Sequence, residues 1–191
     1  MTLGELLAGV DVVSASAPLS TAVSTIRIHS AEVRPGDVFV CMKGVKDDGA
    51  AHIAEITVPF IAVSETPLGD DIPHVLVRDA RAAYAVMSKN FFRDPAAGMK
   101  FVAVVGTNGK TSTAHYIASL LTQAGMKVGL IGTEGHYILG ERVATGLTTP
   151  DSFELYGLMT DMRARGVETV VAEVSAHAIA LKKTEGLTAD I

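Results

Sequence analysis

The chain has 191 residues, of which 48% are hydrophobic and 19% are charged, and its net charge is −5. This composition supplies enough apolar side chain for a packed core and argues against intrinsic disorder. The acidic balance and the lack of any Lys/Arg run argue against a nucleic-acid-binding surface. No apolar run approaches 18 residues and no basic leader is followed by one, so we expect a cytoplasmic protein without a membrane interaction. The only cysteine, Cys41, lies in an apolar run and is interpreted as a small buried side chain rather than a nucleophile.

The first half of the chain predicts a small α/β domain with short elements and frequent turns. Strands are predicted at residues 26–29, 37–42, 60–63 and 74–77, and helical pieces near residues 3–8 and 50–56. Asp79 is expected to open a longer helix, because apolar residues follow it at the i, i+3, i+4, i+7 spacing. Asp94, Pro95 and Gly98 end that helix and mark a linker, so we place a domain boundary after residue 98.

From residue 99 onward strands alternate with helices, which predicts a parallel sheet with right-handed crossovers. The predicted order is strand 101–105, helix 111–124, strand 127–131, a helix from 149 to about 166, and strand 167–173, with a hairpin over 137–144. Thr149 is the predicted N-cap of the second of these helices, with Pro150 at its first helical position. Residues 189–191 look like the approach to another strand, and we expect the sequence to be an N-terminal portion of a longer protein.

The strongest functional pattern lies between the first strand and the first helix of this second half. Its residues, all predicted to bind a nucleotide, are Gly106, Thr107, Asn108, Gly109, Lys110, Thr111 and Ser112. Glycines let backbone N–H groups converge on an anion, and the positive end of the following helix adds to the attraction. Lys110 can contact the outer phosphates of a nucleoside triphosphate, and the Thr111 hydroxyl can bind Mg²⁺. The strict eight-residue motif needs a glycine where Val104 stands, so a plain glycine turn is the alternative.

A carboxylate at the end of the last predicted strand forms the second part of this pattern. The carboxyl end of a parallel strand lies beside such a loop, so Glu173 is predicted to bind Mg²⁺, directly or through water. With Lys110, it is one of two predicted catalytic residues. The alternative is a strand-end carboxylate that faces solvent. His177 could orient Glu173 or cap the helix that begins there, and the histidine and cysteine spacings predict no zinc site.

Several segments together resemble the Mur ligases, which build the peptidoglycan peptide. The loop at residues 106–111 is similar to their phosphate loop. Thr-Thr-Pro-Asp at residues 148–151 and Glu-Val-Ser-Ala-His-Ala at 173–178 resemble motifs of the E-type ligases, which add the third amino acid. Pro-Gly-Asp-Val-Phe-Val at 35–40 and the segment 43–49 resemble their UDP-binding domain. The resemblance extends in register over roughly residues 24–191.

This resemblance implies an ATP- and Mg²⁺-dependent ligase of peptidoglycan synthesis. Such an enzyme phosphorylates the D-glutamate carboxylate of UDP-N-acetylmuramoyl-L-alanyl-D-glutamate, and the amine of a diamino acid then attacks the acyl phosphate. Residues 1–98 would form the domain that binds the UDP-muramoyl substrate, and residues 99–191 an incomplete central ATP-binding domain. The chain alone is therefore expected to be monomeric and inactive as a ligase. The positions that match substrate-binding residues are Ile28, Ser30, Thr148, Thr149, Ser175 and Lys183.

Some positions depart from the family pattern. His29 and Ala31 replace an Asp and an Arg, Ala176 replaces a serine, and Lys183 replaces an arginine, which keeps the charge but loses the bidentate fork. The alternatives are an F-type Mur ligase, which adds the terminal dipeptide, a folate polyglutamylation enzyme, and a nucleotide-binding module without activity. The motifs at 148–150 and 175–177 disfavour the first, and the UDP-domain residues disfavour the second.

Overall fold

The computed structural model of the chain describes residues 1–44, 48–144 and 146–191. It contains two compact units, Met1–Phe91 and Phe92–Ile191, each built on a five-stranded sheet. The division falls earlier than residue 98 because Phe92 packs on Phe153 of the second unit, with ring centroids 4.8 Å apart. The described ranges contain no helix with the length and apolarity that a bilayer crossing needs.

The first unit confirms the predicted α/β character and adds a strand that the sequence did not predict. Its elements are α1 Leu3–Leu6, β1 Val12–Ala15, β2 Ile26–Arg27, β3 Asp37–Val40, β4 Phe60–Ser64, β5 His74–Val77 and α2 Ala80–Phe91, with 3-10 turns at Ser30–Glu32 and Gly49–Glu55. The sheet order is β1-β5-β4-β3-β2, parallel except for the β1 and β5 pair. All four residues of β1 are exposed, so no alternation of burial marks it, and only its pairing with β5 defines it as a strand.

The second unit has a parallel centre and an antiparallel edge. Its elements are β6 Lys100–Val105, α3 Lys110–Gln123, β7 Val128–Gly132, β8 Gly135–Ile138, β9 Glu141–Ala144, α4 Ser152–Ala164, β10 Thr169–Val174 and α5 Ala176–Ala180. The strand order is β6-β10-β7-β8-β9. Strands β6, β10 and β7 are parallel, whereas β8 and β9 form the predicted hairpin and pair antiparallel. The sheet is therefore mixed rather than purely parallel.

Helices α3 and α4 pack on opposite faces of this sheet. The α3 side contains Val102, Val104, Ala114, Val128, Leu130 and Val171. The α4 side includes Phe101, Leu155, Met159, Met162, Val170 and Ala172. Because successive side chains of a strand point to opposite faces, Glu173 lies on the same face as Val171, the face that α3 covers. This alternation directs the Glu173 carboxylate toward the beginning of α3.

The predicted start of helix α4 was wrong. Asp151 is the N-cap and Ser152 the first helical residue, so Thr149 and Pro150 precede the helix. The Thr149 hydroxyl donates to the carbonyl oxygen of Glu173 at 2.9 Å and accepts from the Ser175 N–H at 3.3 Å. The Thr149 hydroxyl therefore bonds to the backbone at the end of β10 instead of capping α4 as the local sequence pattern predicts.

Candidate functional site

The loop between β6 and α3 has the backbone conformation that an anion-binding loop needs. Gly109 is the N-cap of α3 with φ 80°, and Gly106 has φ 149°. Residues with a side chain rarely adopt positive φ, so glycine suits both positions. Gly109 offers no side-chain cap, which leaves the first N–H groups of α3 available to an external acceptor.

The ammonium group of Lys110 lies across the same loop. Its Nζ donates to the carbonyl oxygen of Gly106 at 2.9 Å and contacts that of Thr107 at 3.4 Å. These contacts hold a positive charge beside the free N–H groups of α3. Thr107, Asn108 and Ser112 are exposed around it. The loop therefore combines converging donors and a cation, as a polyphosphate ligand would require.

Glu173 is buried, with 0% of its surface exposed, between the ends of the strands on either side of β10. Its Oε2 accepts from the Thr111 hydroxyl at 2.9 Å and from the Thr133 hydroxyl at 3.1 Å. Its Oε1 accepts from the Thr133 N–H at 2.9 Å. A Cβ at Gly132 would overlap Oε1, so glycine makes room for the carboxylate there. The interpretation of Glu173 as a solvent-facing carboxylate is therefore wrong.

The oxygen atoms of Glu173 and Thr111 are of the kind that binds a magnesium ion. A hydroxyl and a carboxylate are hard oxygen ligands, and Mg²⁺ commonly takes only one or two of them from protein. Within the described ranges, no group of three or more His, Cys, Asp or Glu side chains could hold a metal. A cation here would thus draw its other ligands from water and phosphate. Because both Glu173 oxygens accept protein hydrogen bonds, Thr111 would be the more accessible ligand of such a cation, and Glu173 would act through Thr111 or through water.

Two of the predicted substrate residues adjoin this carboxylate. The Thr148 hydroxyl lies 2.9 Å from that of Thr133, which in turn binds Glu173. Thr149 is tied to the backbone of β10 by the hydrogen bond to the Glu173 carbonyl. Segment 148–149 is therefore fixed directly against the end of β10.

The other two residues of this unit that are predicted to bind substrate, Ser175 and Lys183, stabilise the adjoining backbone. Ser175 is the N-cap of α5, and its Oγ accepts from the Ala178 N–H at 3.1 Å. Lys183 is 8% exposed, and its Nζ lies 2.8 Å from Asp151 Oδ1 and 3.4 Å from the Thr149 carbonyl oxygen. Its charge is thus already paired, which the sequence did not indicate.

His177 takes neither of the predicted roles. Ser175, not His177, caps α5, and His177 is exposed. In the described part of the chain, no hydrogen bond joins His177 to Glu173. Sequence reasoning also missed Thr133, although the rule that placed Glu173 applies to it, since Thr133 directly follows the parallel strand β7.

The remaining two residues that are predicted to bind substrate, Ile28 and Ser30, lie in the first unit. Ser30 opens a 3-10 turn, and its Oγ donates to Glu55 Oε2 at 2.9 Å. Ile28 is half-buried just after β2. His52 Nδ1 lies 2.8 Å from the other oxygen of Glu55. Of the resembling segment 43–49, residues 45–47 lie outside the described residues.

Known proteins match both the loop and the surrounding chain. The Mur ligase middle domain matches residues 104–191. UDP-N-acetylmuramoyl-L-alanyl-D-glutamate--2,6-diaminopimelate ligase of Clostridium perfringens (strain 13 / Type A) is 38% identical over 98% of this chain and 40% of its own length. The ligase of the same name from Listeria monocytogenes serotype 4b (strain F2365) is 34% identical over 100% of this chain and 39% of its own. The chain is thus similar to Mur ligases over nearly its whole length, and residues 104–191 match the middle domain of that family.

The chain spans about two fifths of the length of these relatives. A solved UDP-N-acetylmuramoyl-L-alanyl-D-glutamate--2,6-diaminopimelate ligase aligns with 98% of this chain and 38% of its own at a TM-score of 0.75, with 22% identity. MurF from Acinetobacter baumannii aligns with 92% of this chain and 35% of its own at 0.60, with 19% identity. At these identities the structures support the fold alone, and both agree with the predicted α/β architecture.

Proposed function

We propose that this chain is part of a Mur ligase, an ATP-dependent enzyme that adds a diamino acid to UDP-N-acetylmuramoyl-L-alanyl-D-glutamate in peptidoglycan synthesis. The observation that carries this proposal is the hydrogen bond from Thr111, in the first turn of α3, to the buried Glu173. It joins a glycine loop and lysine to a hydroxyl and carboxylate suited to a magnesium nucleotide. The names of the relatives supply the acceptor and favour 2,6-diaminopimelate as the amine.

The proposed chemistry activates a poor electrophile. A carboxylate oxygen of the precursor attacks the γ-phosphorus of ATP and ADP leaves. The amine then attacks the acyl carbon, and phosphate leaves as the amide forms. Lys110 and the free N–H groups of α3 stabilise the phosphate charge and fix its position. Mg²⁺ bound beside Thr111 and Glu173 would neutralise further phosphate charge.

The regions predicted as residues 1–98 and 99–191 correspond to the units Met1–Phe91 and Phe92–Ile191, and we propose them as the UDP-muramoyl-binding and ATP-binding regions. In the first, Ile28 and Ser30 would contact the UDP part. In the second, Thr148 offers a half-exposed hydroxyl to the peptide, whereas Thr149 and Lys183 are bonded internally and would mainly shape segment 148–151. Because ATP and nucleotide-linked precursors are intracellular, the proposal also includes a cytoplasmic location.

Nucleotide binding tests the role of Lys110. In equilibrium titrations of ATP with Mg²⁺, we expect Lys110→Ala to weaken binding roughly 10- to 100-fold, since a hydrogen bond to a charged group contributes about 1.5–3 kcal/mol. Lys127→Ala is the matched control, because Lys127 is an exposed lysine of the same unit. Equal affinities for both variants would contradict the proposed phosphate loop.

Precursor binding separates the alternatives. A chain of E-type function should bind UDP-muramoyl-dipeptide more tightly than the tripeptide product, whereas an F-type ligase should prefer the tripeptide. Binding of ATP without any UDP-muramoyl peptide would instead favour a nucleotide-binding module. Any binding of the dipeptide would exclude the folate enzyme.

A further inference from the structure

Thr133 connects the two predicted parts of the site in the second unit. Its hydroxyl lies 3.1 Å from Glu173 Oε2 on one side and 2.9 Å from the Thr148 hydroxyl on the other. Its own N–H also donates to Glu173 at 2.9 Å. Glu173 is fully buried, whereas Thr133 is exposed and Thr148 half-exposed. The buried carboxylate therefore reaches Thr148 through the oxygen of Thr133.

The chemistry of these groups fixes the direction of the hydrogen bonds. A carboxylate only accepts, and a hydroxyl carries a single proton. Since Thr133 donates to Glu173, the proton between the two hydroxyls must come from Thr148. In this arrangement Thr148 presents oxygen lone pairs, not a proton, to a ligand. An anionic oxygen of an acidic peptide would therefore find no hydrogen-bond donor at Thr148 and would bind there weakly.

The order of these hydrogen bonds would change if Thr111 and Glu173 held a cation. Its bound water would donate to Glu173 Oε2, where the Thr111 and Thr133 hydroxyls now donate. The Thr133 hydroxyl would then donate to Thr148, and the proton of Thr148 would be free for the ligand. Thr148 would thereby change from an acceptor to a donor for a substrate carboxylate.

We infer that Thr133 is a positioning residue through which the magnesium nucleotide prepares Thr148 to bind the acidic precursor. This inference rests on the proposed function and adds a coupling between its two substrates. Such coupling is reciprocal, so precursor binding should tighten magnesium nucleotide binding by the same factor. Removal of the Thr133 hydroxyl should abolish the coupling and leave the Thr148 proton free in every state.

The test measures binding of UDP-muramoyl-dipeptide to the chain with and without Mg²⁺ and a non-hydrolysable ATP analogue. In the unmodified chain the magnesium nucleotide should tighten dipeptide binding about tenfold, the effect of one charged hydrogen bond. In Thr133→Val the factor should fall below about threefold, while the affinity without nucleotide stays equal or rises. A merely structural role would lower that affinity. Thr133→Ser should restore the coupling.

Thr160→Val is the matched control, because among the described residues the Thr160 hydroxyl bonds only the Tyr156 carbonyl oxygen of its own helix. In Thr160→Val the magnesium nucleotide should tighten dipeptide binding by the same factor as in the unmodified chain. Retention of that factor in Thr133→Val, or loss of dipeptide affinity in both conditions, would overturn the inference. Should Thr133→Val fail to fold, Thr148→Val must still lose the coupling, and a factor unchanged there also refutes it. An unmodified chain that binds neither ligand would overturn the proposed function as well.

Discussion

Replacing Thr149 by valine removes one hydroxyl from a position that is only 5% exposed and leaves the side-chain shape almost unchanged. The lost hydroxyl donates to the carbonyl oxygen of Glu173 at 2.9 Å and accepts from the Ser175 N–H at 3.3 Å. An unsatisfied buried polar group costs about 1–3 kcal/mol. The second bond is long and only partly buried, so we expect a total destabilisation of about 2 kcal/mol.

Urea unfolding measures this loss. With a denaturant slope of roughly 2 kcal/mol per molar urea, the midpoint of the second unit should fall by about 1 M. The chain has no tryptophan, so far-UV circular dichroism is the suitable signal. Because the two units can unfold separately, amide exchange of β10 should be followed too, since it reports on the second unit alone.

Two variants make this prediction specific. Thr149→Ser keeps the hydroxyl and should recover most of the stability. Thr160→Val loses a hydroxyl that bonds a carbonyl within its own helix, so it should cost no more than about 0.5 kcal/mol. If Thr149→Val shifts the midpoint no more than Thr160→Val does, the structural role of the Thr149 hydroxyl is refuted.

Three further predictions concern buried side chains. Met162 is 0% exposed in the core between α4 and the sheet, so Met162→Ala should destabilise the second unit by about 2–5 kcal/mol in urea unfolding. A destabilisation below about 1 kcal/mol, as expected for an exposed side chain, would contradict that packing. Burial, together with the negative charge of Asp48, raises the pKa of the Cys41 thiol from 9.0 to about 12. A thiol reagent at pH 8 should therefore label the unfolded chain but not the native chain. The contribution of the neutral thiol to folding stability should be lost as pH rises from 9 to 12. Burial lowers the pKa of His136 below 6.5, although the negative charge of Glu154 opposes this shift. The free energy of unfolding should therefore fall as pH drops below 6.5, and it should fall more steeply than in His136→Gln. Equal pH dependences of the two free energies would refute this prediction.

Local patterns predicted much of the second unit. The glycine loop, the apolar spacing of α3 and α4, and the buried strands around them are properties of residues within a few positions of one another. The same holds for Glu173, because a carboxylate that ends a parallel strand lies at the sheet edge where such a loop begins. The first unit was predicted less completely, since exposed β1 has no pattern of its own.

The sequence by itself determined most elements of the second unit and the position of the glycine loop between β6 and α3, because these depend on backbone conformation and short-range periodicity. Only the tertiary structure decided which polar side chains meet. The strand order β6-β10-β7 brings Glu173 between Thr111 and Thr133, and the same folding pairs Lys183 with Asp151 and gives the Thr149 hydroxyl to β10. Hydrogen-bond partners separated by tens of residues are set by strand order and burial, which no local pattern encodes.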